Sequence, residues 1–186
     1  MRVGVLALQG DYEAHAKALE RAGAEPVEVR TAAELDSVRG LVIPGGESTT
    51  MLKLMSYYEL FEPLKAFAAE RPVFGTCAGA ILIAREVLNP PQESLNLVDL
   101  TIERNGYGRQ LDSRVVKVTQ HGLGGDPELE VVLIRAPVIR STGGQVLASY
   151  LDAPILVDYG RHMAATFHPE LTEDTRVHAL FLSKID

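Results

Sequence analysis

RPVFGTCAGAILIARE, residues 71–86, carries the only cysteine of the chain at the junction of two local patterns. Pro72, Val73 and Phe74 read as the end of a short apolar strand, whereas Ala80 to Ala84, followed by Arg85 and Glu86, predict a largely buried helix. Cys77 lies at the turn between them. Gly75 and Gly79 flank it, so the backbone can turn sharply, hold a strained conformation and let another segment come close. The Gly-Thr-Cys-Ala-Gly run is thus a cysteine counterpart of the nucleophile elbow.

Upstream, the chain alternates strand and helix. RVGVLAL (2–8) is an apolar run of strand length, and DYEAHAKALERAG (11–23) spaces Ala14, Ala18, Leu19 and Ala22 as a helix that Gly23 ends. EPVEVR (25–30) and GLVIPGG (40–46) read as the second and third strands, residues 48–70 as one or two helices broken near Pro63, and PVFGT (72–76) as the fourth strand. Continuous apolar strands alternating with helices imply a parallel sheet covered on both faces, a doubly wound α/β fold. Beyond residue 95 the rhythm changes to short strands, NLVDLTIER, SRVVKVT, EVVLIR, QVLASYL, PILVDYG and HMAATF, separated by Gly, Pro and Asp turns. These predict antiparallel strands in the C-terminal half, closed by a last helix, TRVHALFLSKI. With 186 residues and no repeat or linker, one domain over 1–186 is expected.

Composition narrows the function. Eighteen basic against 25 acidic residues give a net charge of −7, which argues against a phosphate backbone as partner. The N-terminal apolar run is too short for a signal or a membrane span, so a cytoplasmic protein is expected. One cysteine makes no internal disulfide and no structural thiolate zinc site, and neither a metal nor a cofactor is expected. Its chemistry would be that of a nucleophile.

In an open parallel sheet, ligands bind beyond the carboxyl ends of the strands. Gln9-Gly10 follows the first strand, Pro44-Gly45-Gly46-Glu47-Ser48 the third, Gly75 to Gly79 the fourth, and His168 and Glu170 follow HMAATF. Such a set suits thiol catalysis. An adjacent imidazole and a helix N-terminus favour the thiolate, which makes His168 the candidate base. Glu170 could accept from its other ring nitrogen, with Pro169 stiffening the link, and the amides of Gly46 and Ala78 could stabilise an oxyanion. His15, His121, His162 and His178 lack a strand-end setting, and His15 and His178, in helical stretches, are expected to face solvent or neighbouring side chains.

PGGEST (44–49), GTCAGA (75–80) and FHPEL (167–171), in this order, resemble the class I, or triad, glutamine amidotransferases. GVLALQGDYEAH (4–15), ERNGYGRQLDS (103–113), IRAP (134–137) and FHPELTED (167–174) narrow the resemblance to the glutaminase subunits of pyridoxal 5'-phosphate synthases. The resemblance implies a three-layer α/β fold and hydrolysis of glutamine to glutamate and ammonia for vitamin B6 biosynthesis. It gives Cys77 the role of nucleophile, His168 that of base and then acid, and Glu170 that of orienting carboxylate. It also assigns Gly46, Glu47, Ser48, Arg104, Ile134 and Arg135 to glutamine binding. An arginine would grip the α-carboxylate and a glutamate the α-ammonium. The implied partner is a (β/α)8 barrel synthase subunit in a large hetero-oligomer. The strand-end position of the Gln9-Gly10 turn beside the glycine loop suggests, separately, that this turn lies at the interface and helps set the oxyanion hole when the partner docks. Three other readings compete: a different triad amidotransferase, against which LQGDYEAH and ERNGYGRQ argue; a reactive-cysteine binding module, which would not need Arg104, Arg135 and the FHPE pair together; and an inactive scaffold that only stabilises the synthase ring, against which the intact triad argues.

Overall fold

The computed structural model describes residues 1–107 and 113–185. Part of the ERNGYGRQLDS segment, residues 108–112, therefore lies outside the described residues. The central sheet has seven strands. In chain order these are β1 (Arg2–Leu6), β2 (Glu25–Val29), β3 (Leu41–Ile43), β4 (Val73–Thr76), β10 (Gln145–Tyr150), β11 (Ala153–Asp158) and β12 (Met163–Ala165). Across the sheet the order is β10-β11-β12-β4-β3-β1-β2. From β2 to β12 neighbouring strands run parallel, and β11 and β10 extend the edge antiparallel.

The strands are apolar on both faces because both are covered. β1 turns Val3 and Val5 into one core and Leu6 into the other, β3 sends Val42 to the first and Leu41 and Ile43 to the second, and Phe74 and Val73 divide likewise. Helices α1 (Tyr12–Arg21) and α6 (Arg176–Leu182) lie together on the first face. Helices α2 (Ala32–Asp36), α3 (Ser48–Tyr57), α4 (Phe61–Glu70) and α5 (Ala78–Ile83) contribute to the second. The result is the three-layer fold with antiparallel strands confined to the C-terminal half.

Several local expectations change. The helix after Cys77 stops at Ile83, and residues 84–88, Arg85 and Glu86 among them, form strand β5 (Ala84–Leu88). The returning chain supplies the reason: Leu95 N–H donates to the Leu82 carbonyl at 2.7 Å and Leu97 N–H to that of Ile83 at 2.9 Å, capping the helix after six residues. β5 then pairs in parallel with β6 (Val98–Glu103), which pairs antiparallel with β9 (Val138–Thr142), an unforeseen strand. The SRVVKVT and EVVLIR segments become a separate hairpin, β7 (Ser113–Val118) and β8 (Leu129–Ile134). The break between α3 and α4 falls at residues 58–60, where Glu59 has φ 53°, and Pro63 lies inside the first turn of α4, which needs no N–H from it. Helix α2 was also missed, although Thr31 and Glu34 form a capping box there.

The chain leaves β1 toward β2 on one side and returns through β3 on the other, so the sheet reverses its winding between β1 and β3. Ligands collect at such a switch point. The loops after β1, β3, β4 and β12 all open there.

Candidate active site

Cys77 occupies a strained turn. Its φ of 48° and ψ of −105° lie in a region that side chains other than glycine rarely adopt, at a cost of about 1–3 kcal/mol. The surroundings over-determine it: Cys77 N–H donates to the Ala165 carbonyl of β12 at 2.8 Å, and the turn packs so closely that a Cβ at Gly79 would collide with the Ile43 carbonyl. The sulfur is thereby fixed at the carboxyl end of the sheet. The thiol faces the Ile134 carbonyl at 3.9 Å.

His168 follows β12, tied by its N–H to the Val132 carbonyl at 2.9 Å. The next three residues, Pro169–Leu171, form a 3₁₀ turn that starts on the proline and brings Glu170 back. His168 Nδ1 lies 2.7 Å from Glu170 Oε1, and both residues are buried. Nδ1 therefore carries a proton, because an ionised carboxylate only accepts. Burial opposes charge on His168, yet the neighbouring Cys77 sulfur and the Glu170 carboxylate outweigh it and push its pKa up to about 10. Nε2 is buried and without an aligned partner. Thiol, imidazole and carboxylate thus lie in series, with the thiol turned toward Ile134.

Gly45 makes room for this pairing. A Cβ there would stand 2.5 Å from His168 Cε1 and 3.3 Å from Cys77 Cβ. The glycine loop is fixed from the β1 side, where Gln9 Oε1 accepts from Glu47 N–H at 2.8 Å and Asp11 N–H donates to the Gly45 carbonyl at 3.2 Å.

A cleft of about 220 Å³ opens over the sulfur. Cys77, Ala78 and His168 form part of its lining, together with Gly46, Glu47, Ser48, Arg104, Ile134 and Arg135, so every residue expected to serve catalysis, the oxyanion or glutamine binding borders this space except Glu170. Glu170 stands behind His168. Glu47 caps α3 by accepting from Thr49 N–H at 3.1 Å, Thr50 N–H at 2.8 Å and Thr50 Oγ1 at 2.6 Å. The Thr50 hydroxyl above all, with these amides, holds its carboxyl down to about 2. Arg104 Nη2 reaches Thr49 Oγ1 at 3.2 Å and Glu47 Oε1 at 3.6 Å. Ser48 turns its hydroxyl to Gln92 Oε1 at 3.0 Å, which leaves its backbone to the cleft. Arg135 has φ 43°, a turn that follows Ile134 at the cleft wall.

Asp11, Ile81 and Asn105 also line the cleft and were not foreseen. Asn105 adjoins Arg104 in ERN, and Asp11 follows Gln9-Gly10, so chain adjacency was the available signal. Asp11, His168 and Glu170 have ligand atoms within 4.8 Å of one another, the one grouping of metal-ligand type among the described residues. Its central nitrogen, His168 Nδ1, is already committed to Glu170. The group therefore suits proton transfer better than metal binding.

Of the two settings expected for His15 and His178, the structure selects neighbouring side chains over solvent: both are fully buried. His15 shares its helix stripe with Ala18 and Leu19, and His178 lies beside Val177 and three residues before Phe181. That apolar spacing was the signal that could have placed them inside.

A family model described as the SNO glutamine amidotransferase family matches residues 5–186. Among curated relatives, a protein of Solibacter usitatus named pyridoxal 5'-phosphate synthase subunit PdxT is 56% identical, over 99% of this chain and 99% of its own. One of the same name from Kosmotoga olearia is 46% identical, over 100% and 98%. A solved glutamine amidotransferase superposes with a TM-score of 0.90 at 43% identity, covering 98% of this chain and 97% of that one. The PurLQS structure from Thermotoga maritima, at 16% identity and a TM-score of 0.65, over 98% and 97%, shares the fold.

Proposed function

The chain belongs to the SNO glutamine amidotransferase family, and from that premise we propose that it is the glutaminase subunit of a pyridoxal 5'-phosphate synthase, with Cys77, His168 and Glu170 as its catalytic triad. The observation that carries this reading is the 2.7 Å His168–Glu170 pair beside a cysteine on a strained elbow.

Glutamine enters with its carboxamide toward Cys77. The Glu47 carboxylate, ionised down to about pH 2, attracts the α-ammonium, and Arg104 and Arg135 take the α-carboxylate. Gly46, Ser48 and Ile134 shape the space between. The Cys77 thiol swings from the Ile134 carbonyl to His168 and its proton passes to Nε2, forming the imidazolium that the His168 pKa of about 10 favours; the resulting thiolate Sγ then bonds to the carboxamide carbon. The carbonyl electrons move to the oxygen, where the amides of Gly46 and Ala78 receive the charge. The tetrahedral centre collapses, its C–N bond breaks, and His168 Nε2–H protonates the nitrogen, which leaves as ammonia. Water, deprotonated by His168, then attacks the γ-glutamyl thioester. Glutamate departs and the sulfur recovers the proton. Glu170 holds the imidazole in the Nδ1–H tautomer and balances its charge throughout.

The names of the relatives support a synthase partner that consumes the ammonia. We take that partner to be a (β/α)8 barrel subunit in a cytoplasmic hetero-oligomer, with residues 1–186 as one amidotransferase domain. We put the Gln9-Gly10 turn at that interface; its support is that the turn lies at a strand end and that Gln9 holds the glycine loop through Glu47 N–H. Glutamate release from glutamine, measured with and without such a synthase subunit, tests the reading. Release that rises on mixing and vanishes in Cys77→Ala is expected; equal release by Cys77→Ala would overturn it.

A further inference from the structure

Glu170 uses one oxygen for His168. The other, Oε2, is buried with no aligned hydrogen-bond partner among the described residues, and His15 Nε2 lies 3.2 Å from it. His15 comes from α1 and has no exposed side-chain surface, and neither has Glu170. The same Nε2 lies 2.9 Å from Thr76 Oγ1, one residue before the nucleophile. On the far side of the ring, His15 Nδ1 lies 3.1 Å from His178 Nε2 of α6. Four elements therefore meet in a dry polar core behind the triad: α1, α6, the end of β4 and the turn bearing Glu170.

The carboxylate selects the proton positions. Were Nε2 of His15 unprotonated, its lone pair would face an anionic oxygen at 3.2 Å where both side chains are fully buried. Nε2 must therefore carry the proton. A neutral ring then presents Nδ1 as acceptor, and His178 Nε2–H donates to it. The order runs His178 to His15, His15 toward Thr76 and Glu170, and His168 to Glu170 from the opposite side.

We propose that His15, held by His178, is a positioning residue for the glutaminase reaction, fixing the Glu170 carboxylate through Oε2 so that Oε1 meets His168 Nδ1. The inference rests on the triad reading above. Its sense lies in the neutrality of the donor. Burial first, then the electrostatic influence of His178 and His168, keep the His15 pKa well below 6.5, so it remains uncharged at neutral pH. A lysine or arginine here would share the Glu170 charge and leave less for the imidazolium. A neutral imidazole orients the carboxylate without competing for it. The groups facing this core are Glu170, His168 and His178, with Arg21 of α1 acting on His178 from farther off.

The test uses the chain in complex with its synthase partner. In His15→Leu, kcat for glutamate release is expected to fall about 10–100-fold with KM within about twofold, the size seen when the orienting partner of a catalytic group is lost. The alkaline limb of the pH profile, where His168 gives up its proton, shifts to lower pH. His15→Gln, which can set an amide N–H at the Nε2 position, restores most of the rate and the limb. A purely structural role predicts instead a loss proportional to the fraction of Cys77 that can be alkylated, an unmoved limb and no rescue by glutamine, and that pattern would overturn the proposal. A second readout needs no variant: nitrogen-15 NMR of the histidine side chains at pH 7 should show His15 neutral with the proton on Nε2, and an Nδ1–H tautomer or a charged ring would equally refute it. An inactive wild-type complex would sink the glutaminase reading and leave the tautomer result standing on its own.

Discussion

The His168–Glu170 pair divides two unlike environments. Toward the cleft stand groups that carry charge and meet solvent: the Glu47 side chain is 51% exposed and that of Arg104 20%. Away from it, the side chains of His15 and Glu170 have no exposure at all, and His15 and His178, the two histidines behind Glu170, are both neutral at pH 7. The difference follows from what each side must do. Recognition of a zwitterion needs formal charges that stay hydrated until the substrate displaces the water. Orientation of a catalytic carboxylate needs hydrogen bonds in a dry medium, where each is stronger and an extra charge would be costly.

Three perturbations bear on that contrast. The largest is Glu170→Gln, which keeps the volume but removes the charge that His168 needs. A loss of about 10⁴-fold in kcat is expected, as when the acid of a Ser-His-Asp triad becomes its amide. Single-turnover glutamate release measures it, and a loss under tenfold would mean that the buried side contributes little.

Acid stability comes next. His178 has its pKa lowered to about 4 by burial and then by Arg21, against an ordinary 6.5. Between those values the unfolded chain binds a proton that the folded chain refuses, so stability is complete above pH 6.5 and declines as pH falls to about 4. Taken at about 1.4 kcal/mol per unit, His178 alone accounts for about 3 kcal/mol of that decline. Urea denaturation at pH 7, 5.5 and 4.5 should show it, and His178→Phe should flatten the curve. His162, also near 4 through burial and then Arg161, while its Nδ1 accepts from Val73 N–H at 3.1 Å, gives a residual slope outside the site.

The smallest effect belongs to the open side. Glu47→Gln keeps the hydrogen-bonding shape but loses the charge offered to an α-ammonium. KM for glutamine should rise about tenfold with kcat within about twofold. A fall in kcat at constant KM would instead make Glu47 part of the chemistry.

The same division governs what the sequence revealed. The open side was legible because its residues sit at strand ends, and the rule that ligands gather there needs only the strand pattern. Glycines 45, 46, 75 and 79 gave the turns, and FHPE gave the base with its carboxylate. The buried side was not legible from residue type, since histidine has no fixed preference for core or surface. Its position became readable only through helical spacing, His15 with Ala18 and Leu19. The fold divides in a similar way. Parallel strands that are apolar on both faces announce themselves, whereas β5 was hidden because it continues directly from the apolar run 80–84, which reads as helix. Only the distant segment at Leu95 and Leu97, by capping Leu82 and Ile83, settled where the helix ends.

The most direct test of the central claim is covalent capture. A glutamine analogue bearing an electrophilic diazoketone in place of the carboxamide is incubated with the chain and its synthase partner, and the product is read by intact and peptide mass spectrometry. One adduct on the Cys77 peptide, slowed by excess L-glutamine, is the predicted result. If Cys77 is alkylated by iodoacetamide yet ignores the analogue, or takes it at a rate that glutamine does not change, the sulfur does not lie in a glutamine site and the account is contradicted.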